Sequence, residues 1–315
     1  MDRRWIHTVC YILALFLSVL LPSVSSLRIG AFNVRVFGKS KASKPDVMNT
    51  LSKIIRRYDI ILIQEIRDSK GTAIQQLLDK VNRDSKTYSY GMIISDRVGR
   101  TNSKEQYAFF YRNKSADGIE IVSSYMYDDG NETLGNDVFE REPFLVKFHV
   151  KPAVVKTFAL GAIHVKPEQA VEELTKLGDV FTDAKSKFKT ENVIILGDLN
   201  ADCSYVPKKD WPKIPVRNDP AYHWLIGDEV DTTVKDSTDC AYDRFILTGT
   251  KFYEAVIRKS ALEVSDHYPI ELELSVVMPT NFGSNQINFD DKPVSLLLLI
   301  VVGILGAIFL QRRHN

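Results

Sequence analysis

Cysteine is scarce in this chain: Cys10, Cys203 and Cys240 are the three in 315 residues. That excludes a structural zinc site built from clustered thiolates. An excess of either charge is missing too, since 41 lysines and arginines face 40 aspartates and glutamates. Net charge therefore argues neither for nor against a polyanionic partner, and any phosphate-binding surface has to come from local clustering. No internal repeat is evident, and with 44% hydrophobic and 26% charged residues nothing suggests disorder. A chain of this size buries one sizeable core, so one large domain is expected. The longest apolar runs stand at the two ends.

At the start, Asp2-Arg-Arg-Trp-Ile-His is a short basic region, residues 9–21 are apolar, and Val24-Ser-Ser26 offers small residues before a cleavage point. This pattern predicts a secretory signal peptide, residues 1–26, with a retained signal anchor as the alternative. At the other end, residues 294–310 form an apolar run followed by Arg312, Arg313 and His314. About 17 residues is the low end of what spans a hydrocarbon core, and basic residues after the run suit a cytosolic flank. The expected order is a domain over 27–277, a stalk over 278–293, a single-pass anchor over 294–310 and a basic tail over 311–315. The domain then sits outside the cell or in a lumen. A glycolipid-anchor signal, with Gly283-Ser-Asn285 as its small-residue site, is the competing account.

Once Cys10 leaves with the signal peptide, Cys203 and Cys240 remain as an even pair with one connectivity, as an oxidising compartment favours. Closing that loop is worth roughly 4 kcal/mol in the chain-entropy model. Asn113-Lys-Ser115 and Asn131-Glu-Thr133 are candidate glycosylation sites.

Between the ends, strands and helices alternate, which indicates an α/β fold. Asn192 precedes Val193-Ile-Ile-Leu196, a strand read as buried on both faces, and Gly197-Asp198-Leu-Asn200 follows at its exit. Asp198 and Asn200, two apart, are read as projecting to one side. The same pattern recurs: residues 27–34 end near Asn33, residues 59–67 carry Glu65 at the exit, and residues 157–164 end in His164. Further strands are expected over 88–94, 107–111 and 145–150, at Asp243 and after it, and where Ile270, Leu272 and Leu274 alternate. Helices are expected to open at Pro45, to cover 72–81 and to cover 167–188, with a basic, flexible loop around Lys39, Lys41 and Lys44. Residues 127–137 form an acidic, glycine-punctuated loop in which a hard cation such as Ca²⁺ could sit.

Collected at strand ends are Asn33, Glu65, His164, Asp198, Asn200, Asp243, Asp266 and His267. His149 and His223 are read as packed or solvated. Carboxylate and amide oxygens suit Mg²⁺, Mn²⁺ or Ca²⁺. Such an ion neutralises phosphoryl charge, while a histidine held by a carboxylate moves a proton near neutral pH. Phosphodiester hydrolysis needs both functions.

Ala31-Phe-Asn33, Gln64-Glu65, Lys104-Glu105-Gln-Tyr107, Arg141-Glu142-Pro143, Ile163-His164, Gly197-Asp198-Leu-Asn200-Ala-Asp202-Cys203, Asp231-Thr-Thr, Cys240-Ala-Tyr-Asp243-Arg244 and Ser265-Asp266-His267-Tyr-Pro269 occur in this order. In this the chain resembles the deoxyribonuclease I family of the endonuclease/exonuclease/phosphatase superfamily, over residues 27–277. Its longer Asp231 loop and apolar C-terminal run look more like the gamma-like and membrane-anchored branches.

The resemblance implies a four-layer α/β/β/α sandwich of two packed mixed sheets, and metal-dependent endonucleolytic cleavage of DNA that leaves 5′-phosphate ends. It implies Glu65 as main ligand of Mg²⁺ or Mn²⁺, with Asn33 and Asp266 beside it. His164 with Glu105 and His267 with Asp243 become the acid and base, unassigned between them, and Asp198 and Asn200 contact metal or scissile phosphate. Arg35, Arg67 and Arg141 match DNA-contacting positions. Asp129, Asp137, the Phe139 carbonyl and Glu142 match a structural Ca²⁺ site, and Asp231 opens a second calcium loop. Departures include the loss of a small disulfide in the acidic loop, where Asn131 and Leu134 stand, and Ser103 in place of a base-stacking tyrosine. Ile94 and Phe144 are larger than the family's actin-contact residues; Phe144 is expected to clash, so inhibition by actin is not expected. The domain is expected to act as a monomer. A lipid or inositol phosphodiesterase on the same scaffold, and a catalytically silent ectodomain, are the competing functions.

Overall fold

The run Ile60-Ile61-Leu62-Ile63 shows how one strand serves two layers. Ile60 and Leu62 join the core on one side, Ile61 and Ile63 join the core on the other, and all four are fully buried. Period-two alternation puts successive side chains on opposite faces, so an unbroken aliphatic run requires both faces of the sheet to be covered.

In this computed structural model the described residues are 26–113, 118–151, 153–235, 237–261, 267 and 269–276. All of them lie in the compact unit Met1–Met278. The expected signal peptide up to residue 25, Ser115 of the first glycosylation motif, Asp266, the stalk and the apolar run 294–310 lie outside the described residues.

The strands are β1 (Ser26–Phe37), β2 (Ile60–Ile66), β3 (Ser89–Ile94), β4 (Gln106–Asn113), β5 (Ile119–Met126), β6 (Phe144–Val150), β7 (Thr157–Ala162), β8 (Val193–Asp198), β9 (His223–Trp224), β10 (Asp243–Thr248), β11 (Val256–Ala261) and β12 (Ile270–Ser275). They form two six-stranded sheets, ordered β11-β12-β1-β2-β4-β3 and β5-β6-β7-β8-β10-β9. Each is mixed, with one parallel pair: β1 with β2 in the first, β7 with β8 in the second.

The helices are α1 (Lys39–Ala42), α2 (Pro45–Ile55), α3 (Thr72–Asp84), α4 (Ala170–Phe188), α5 (Pro215–Asn218) and α6 (Thr250–Glu254). Pro45 starts α2 after the extended Lys44, a position where its missing N–H costs nothing. Met48, Leu51 and Ile55 of α2 and Ile74, Leu77 and Val81 of α3 cover the outer face of the first sheet. Leu174, Leu177, Phe181 and Phe188 of α4 cover the outer face of the second. Between the sheets lies a core that includes Phe109, Phe148, Phe158, Leu196 and Phe245. The architecture is the expected α/β/β/α sandwich.

Four expectations need correction. The basic loop after β1 contains a helical turn, α1, because Ala42 packs against the α2–α3 core. Strands β5, β9 and β11 were not expected: each stands at the edge of its sheet, β9 is two residues long, and β5 buries only Ile119, so no apolar alternation marks it. Phe144 is 4% exposed and packs on Phe109 between the sheets, 6.3 Å between ring centres. Its ring cannot clash with a docked protein, and the steric argument against actin falls to the half-buried Ile94 alone. Finally, Asn200 lies beyond the end of β8 in a left-handed conformation, φ 46°, not on an extended segment with Asp198.

Cys203 and Cys240 are joined in a disulfide that ties the loop after β8 to the entrance of β10. The double substitution Cys203→Ser/Cys240→Ser is expected to cost about 2–4 kcal/mol in urea unfolding. An unchanged midpoint would show that the bridge adds no stability.

Candidate active site

The exits of β1, β2 and β8 and the entrance of β10 meet at one end of the sandwich, where Asp198 and Asp243 are directly paired across β8 and β10. Gln64 holds the two sheets together there. Its Nε2 donates to the Ile163 carbonyl at 2.7 Å, and its Oε1 accepts from the Asp198 N–H at 2.9 Å. Ile60 and Leu62 face the second sheet, so period two sends Gln64 the same way. Gly197 is what permits this approach: it has φ 132°, and a Cβ there would stand 2.4 Å from the Ile163 carbonyl oxygen and 2.7 Å from the Gln64 amide.

Asp198 is the centre of the cluster. Its Oδ2 accepts from Asn33 Nδ2 at 3.0 Å, and lies 3.6 Å from His164 Nε2 and 3.5 Å from His267 Nε2. Its Oδ1 accepts the Asn200 N–H at 3.1 Å, while the Asn200 amide donates to the Val165 carbonyl at 2.9 Å. Burial pushes the Asp198 carboxyl up, but the His267 and His164 imidazoles and the two hydrogen bonds bring it below its ordinary value.

Each imidazole is backed by its own acid. His164 Nδ1 lies 2.8 Å from Glu105 Oε2, and His267 Nδ1 lies 2.9 Å from Asp243 Oδ2. Burial alone would raise Glu105; the His164 hydrogen bond and the nearby His164, Arg141 and Arg67 charges outweigh it and hold the carboxyl down at about 2. Asp243 goes the other way. Full burial drives it up to about 6 even beside His267, and the charge on Asp198 adds to the rise. Tyr107 completes the His164 side, its hydroxyl accepting the His164 N–H at 2.9 Å. Thr232 Oγ1 plays the same part on the other side, accepting the Asp243 N–H at 3.1 Å.

Donor atoms of Asp198, Asp243 and His267 lie within 4.8 Å of one another, and Asp243 Oδ1 is buried with no hydrogen-bond partner among the described residues. The carboxylate oxygens of Asp198, Asp243 and Glu65 and the amide oxygen of Asn33 are hard donors that suit Mg²⁺, Mn²⁺ or Ca²⁺, with His267 offering one nitrogen beside them. Glu65 closes β2 in a left-handed conformation, φ 57°, with its Oε2 accepting the Val36 N–H at 2.9 Å. Arg35 and Val36 share that strained backbone region, φ 47° and 55°. Non-glycine residues held this way cost of order 1–3 kcal/mol each and concentrate at functional sites.

Arg67 donates to Glu105 at 2.6 Å, and Arg141 Nε donates to the His164 carbonyl at 2.8 Å; Arg35 is exposed at the rim. Of the expected calcium residues, Asp129 and Glu142 line one cavity of about 250 Å³. Burial, with the charges of Asp137 and Asp129, raises the Glu142 carboxyl. Asp129 Oδ2 accepts the N–H groups of Val138 and Phe139 at 2.6 and 3.0 Å, whereas Asp137 pairs with Arg100 at 2.7 Å. Asp231 Oδ1 accepts from the Thr233 N–H and hydroxyl at 2.8 and 2.7 Å. Asn113 and Asn131 are exposed, and Asn131 Oδ1 accepts the Thr133 hydroxyl at 2.6 Å.

Sequence reasoning named no role for Gln64, Tyr107, Thr232 or Glu173. Strand parity could have flagged Gln64, the one polar residue on the inward side of β2 after Ile60 and Leu62. Glu173, fully buried on α4, accepts at one oxygen the N–H groups of Glu140 and Lys166, each at 3.3 Å. It props the loop that presents Arg141.

Such a cluster, buried carboxylates with two imidazole–acid pairs at one end of a two-sheet sandwich, defines a metal-assisted phosphoesterase class. Residues 30–267 match the model of the Endonuclease/Exonuclease/phosphatase family. Deoxyribonuclease-1 of Equus caballus is 44% identical over 276 residues, 82% of this chain and 96% of that one. Deoxyribonuclease gamma of Mus musculus is 45% identical over 268 residues, 79% of this chain and 84% of its own. A crystal structure of an endonuclease/exonuclease/phosphatase family protein from Bacteroides thetaiotaomicron superposes with a TM-score of 0.55 at 16% identity, over 80% of this chain and 98% of that one, which shows the shared fold. The chain belongs to the endonuclease/exonuclease/phosphatase family and, within it, to the deoxyribonuclease I family.

Glu173 generates a pH prediction. Burial raises its carboxyl to about 8, with the two N–H bonds opposing, so folding favours the protonated form. The associated stability is fully present below the ordinary carboxylate value and is lost as pH rises toward 8. Glu173→Gln is therefore expected to raise Tm by about 5 °C at pH 8 and far less at pH 5. Equal effects at both pH values would show that Glu173 stays charged in the fold.

Proposed function

We propose that this chain is a divalent-metal-dependent endonuclease that hydrolyses phosphodiester bonds of DNA with low sequence selectivity and leaves 5′-phosphate ends. The observation that carries the reading is the placing of two imidazole Nε2 atoms 3.6 and 3.5 Å from one carboxylate oxygen, Asp198 Oδ2, each with an acid behind its Nδ1. Two proton-transfer groups flanking one anion-sized position are what in-line hydrolysis of a phosphodiester requires.

Glu65, with Asn33 and Asp266, would hold Mg²⁺ or Mn²⁺, and Asp198 and Asn200 would lie against the metal or the scissile phosphate. When bound, the cation withdraws charge from the phosphoryl oxygens and orients the phosphate. With Glu105 ionised, His164 presents Nδ1–H to it and keeps Nε2 toward the substrate; Asp243 orients His267 in the same manner. One imidazole takes the proton of the attacking water as its oxygen bonds to phosphorus. The other gives a proton to the departing 3′ oxygen as the P–O3′ bond breaks.

Arg35, Arg67 and Arg141 would line the approach of the substrate and neutralise flanking phosphates. Contacts of that kind position DNA without reading bases, hence the low selectivity. Asp129, Asp137, the Phe139 carbonyl and Glu142 would take a structural Ca²⁺, and Asp231 a second. The disulfide supports passage through the secretory pathway, where the motifs at Asn113 and Asn131 would be glycosylated. Among the described residues no helix is long and apolar enough to cross a membrane. Tethering through residues 294–310, as a transmembrane or glycolipid anchor, belongs to this proposal, as do monomeric action and resistance to actin.

Supercoiled plasmid incubated with the purified chain, Mg²⁺ and Ca²⁺ should be nicked, and a chelator should stop the reaction. His164→Ala and His267→Ala should each lower the rate by about 10²-fold or more. Cleavage of sphingomyelin in place of plasmid, or full activity in both variants, would sink the assignment.

A further inference from the structure

The end of the sandwich opposite the active site carries a cationic surface of its own. Strands β8 and β10 define the two ends: Asp198 pairs with Asp243 at the site, and Val193 pairs with Thr248 at the other end. At about 3.3 Å per residue the separation is roughly 17 Å along the strand. At the far end a cavity of about 600 Å³ is lined by three lysines from separate parts of the chain, Lys156 before β7, Lys189 after α4 and Lys251 on α6. All three are exposed, and none makes an ion pair among the described residues. Glu191, on the same wall, is already paired with Lys185 at 3.3 Å. The short helix α6 brings one acid, Glu254, which leaves the cations in excess.

Apolar side chains accompany them. Val154 on the cavity wall, Tyr253 on α6 and Ile257 at the start of β11 are 50%, 44% and 50% exposed. The same end is where the domain's backbone departs. Val276 bridges Ala153, the Val154 N–H donates to the Ser275 carbonyl at 3.0 Å, and the Ser275 N–H donates to the Ala255 carbonyl at 2.9 Å. In the sequence, the apolar run 294–310 follows from that point.

We propose that this surface docks on an anionic lipid bilayer, with Lys156, Lys189 and Lys251 against the headgroups and Val154, Tyr253 and Ile257 at the interface, so that the catalytic end points away from the membrane. Charge complementarity and the exit of the chain at the cavity rim select the occupant. A basic, partly apolar face at the end of the domain that carries Val276, from which the sequence leads on to an apolar run, meets lipid first. Each lysine close to an anionic leaflet is worth on the order of fivefold in partitioning. The catalytic cleft then remains open to polymeric substrate in the aqueous phase.

The test uses the mature chain with vesicles of phosphatidylcholine alone or of phosphatidylcholine with phosphatidylserine, and measures by mass spectrometry the acetylation rate of each lysine by an amine-reactive ester. On the serine-lipid vesicles Lys156, Lys189 and Lys251 should react at least about fivefold more slowly, while Lys70 and Lys208, on loops near the catalytic end, keep their rates. Molar salt should abolish the protection. The variant K156E/K189E/K251E should lose serine-lipid dependence in vesicle sedimentation and still nick plasmid at the ordinary rate. Equal rates for the three lysines on both kinds of vesicle would overturn the proposal. So would protection by duplex DNA without lipid that equals the lipid effect, which would make the face a second nucleic-acid surface.

Discussion

The structure turns on one buried carboxylate kept charged. Asp198 is almost wholly removed from water, a placement that would cost several kcal/mol for an unpartnered ion. Two imidazoles, the Asn33 amide and a backbone N–H meet it and reverse that penalty. Each imidazole needs an acid of its own behind it, and each acid needs donors to stay placed. Glu105 draws on Arg67 and Arg141, and Asp243 on the His267 ring, while the Thr232 hydroxyl accepts the Asp243 backbone N–H. The cluster is a set of nested electrostatic dependencies in which no member is satisfied by its sequence neighbours alone.

Bringing those members together falls to the meeting of two sheets. Gln64 crosses from one to the other, and Gly197 leaves the room for it to do so. Left-handed residues then turn the strand exits back toward the cluster: Arg35 and Val36 near the end of β1, Glu65 near the end of β2, Asn200 after β8. Strain at four non-glycine residues so close together is tolerated because the sandwich beneath them is continuously packed. Three apolar layers, two outside and one between the sheets, supply that stiffness.

The sandwich also separates its two ends. One holds buried acids and imidazoles, the other exposed lysines beside the departing backbone, and the same strands β8 and β10 run from one to the other. A rigid body of this kind lets one end be held while the other stays open.

Much of this was legible in the letters. Unbroken aliphatic runs at β2 and β8 announce strands covered on both faces, helical spacing announces α2 and α4, and single polar residues at strand exits announce a site. These are local signals, set by side-chain period and by the cost of placing a lone acid after four aliphatics. The edge strand β5 escaped because an edge need not bury alternate residues. Phe144 was misread because orientation at a strand start depends on what lies across the gap, here Phe109. Glu173 gave no signal because a buried acid on a helix looks like a solvated one until two N–H groups from separate loops reach it. Sequence alone determined which elements form and which chemistry they carry. Tertiary structure decided which groups touch, since hydrogen bonds and charges act over a few ångströms between residues far apart in the chain.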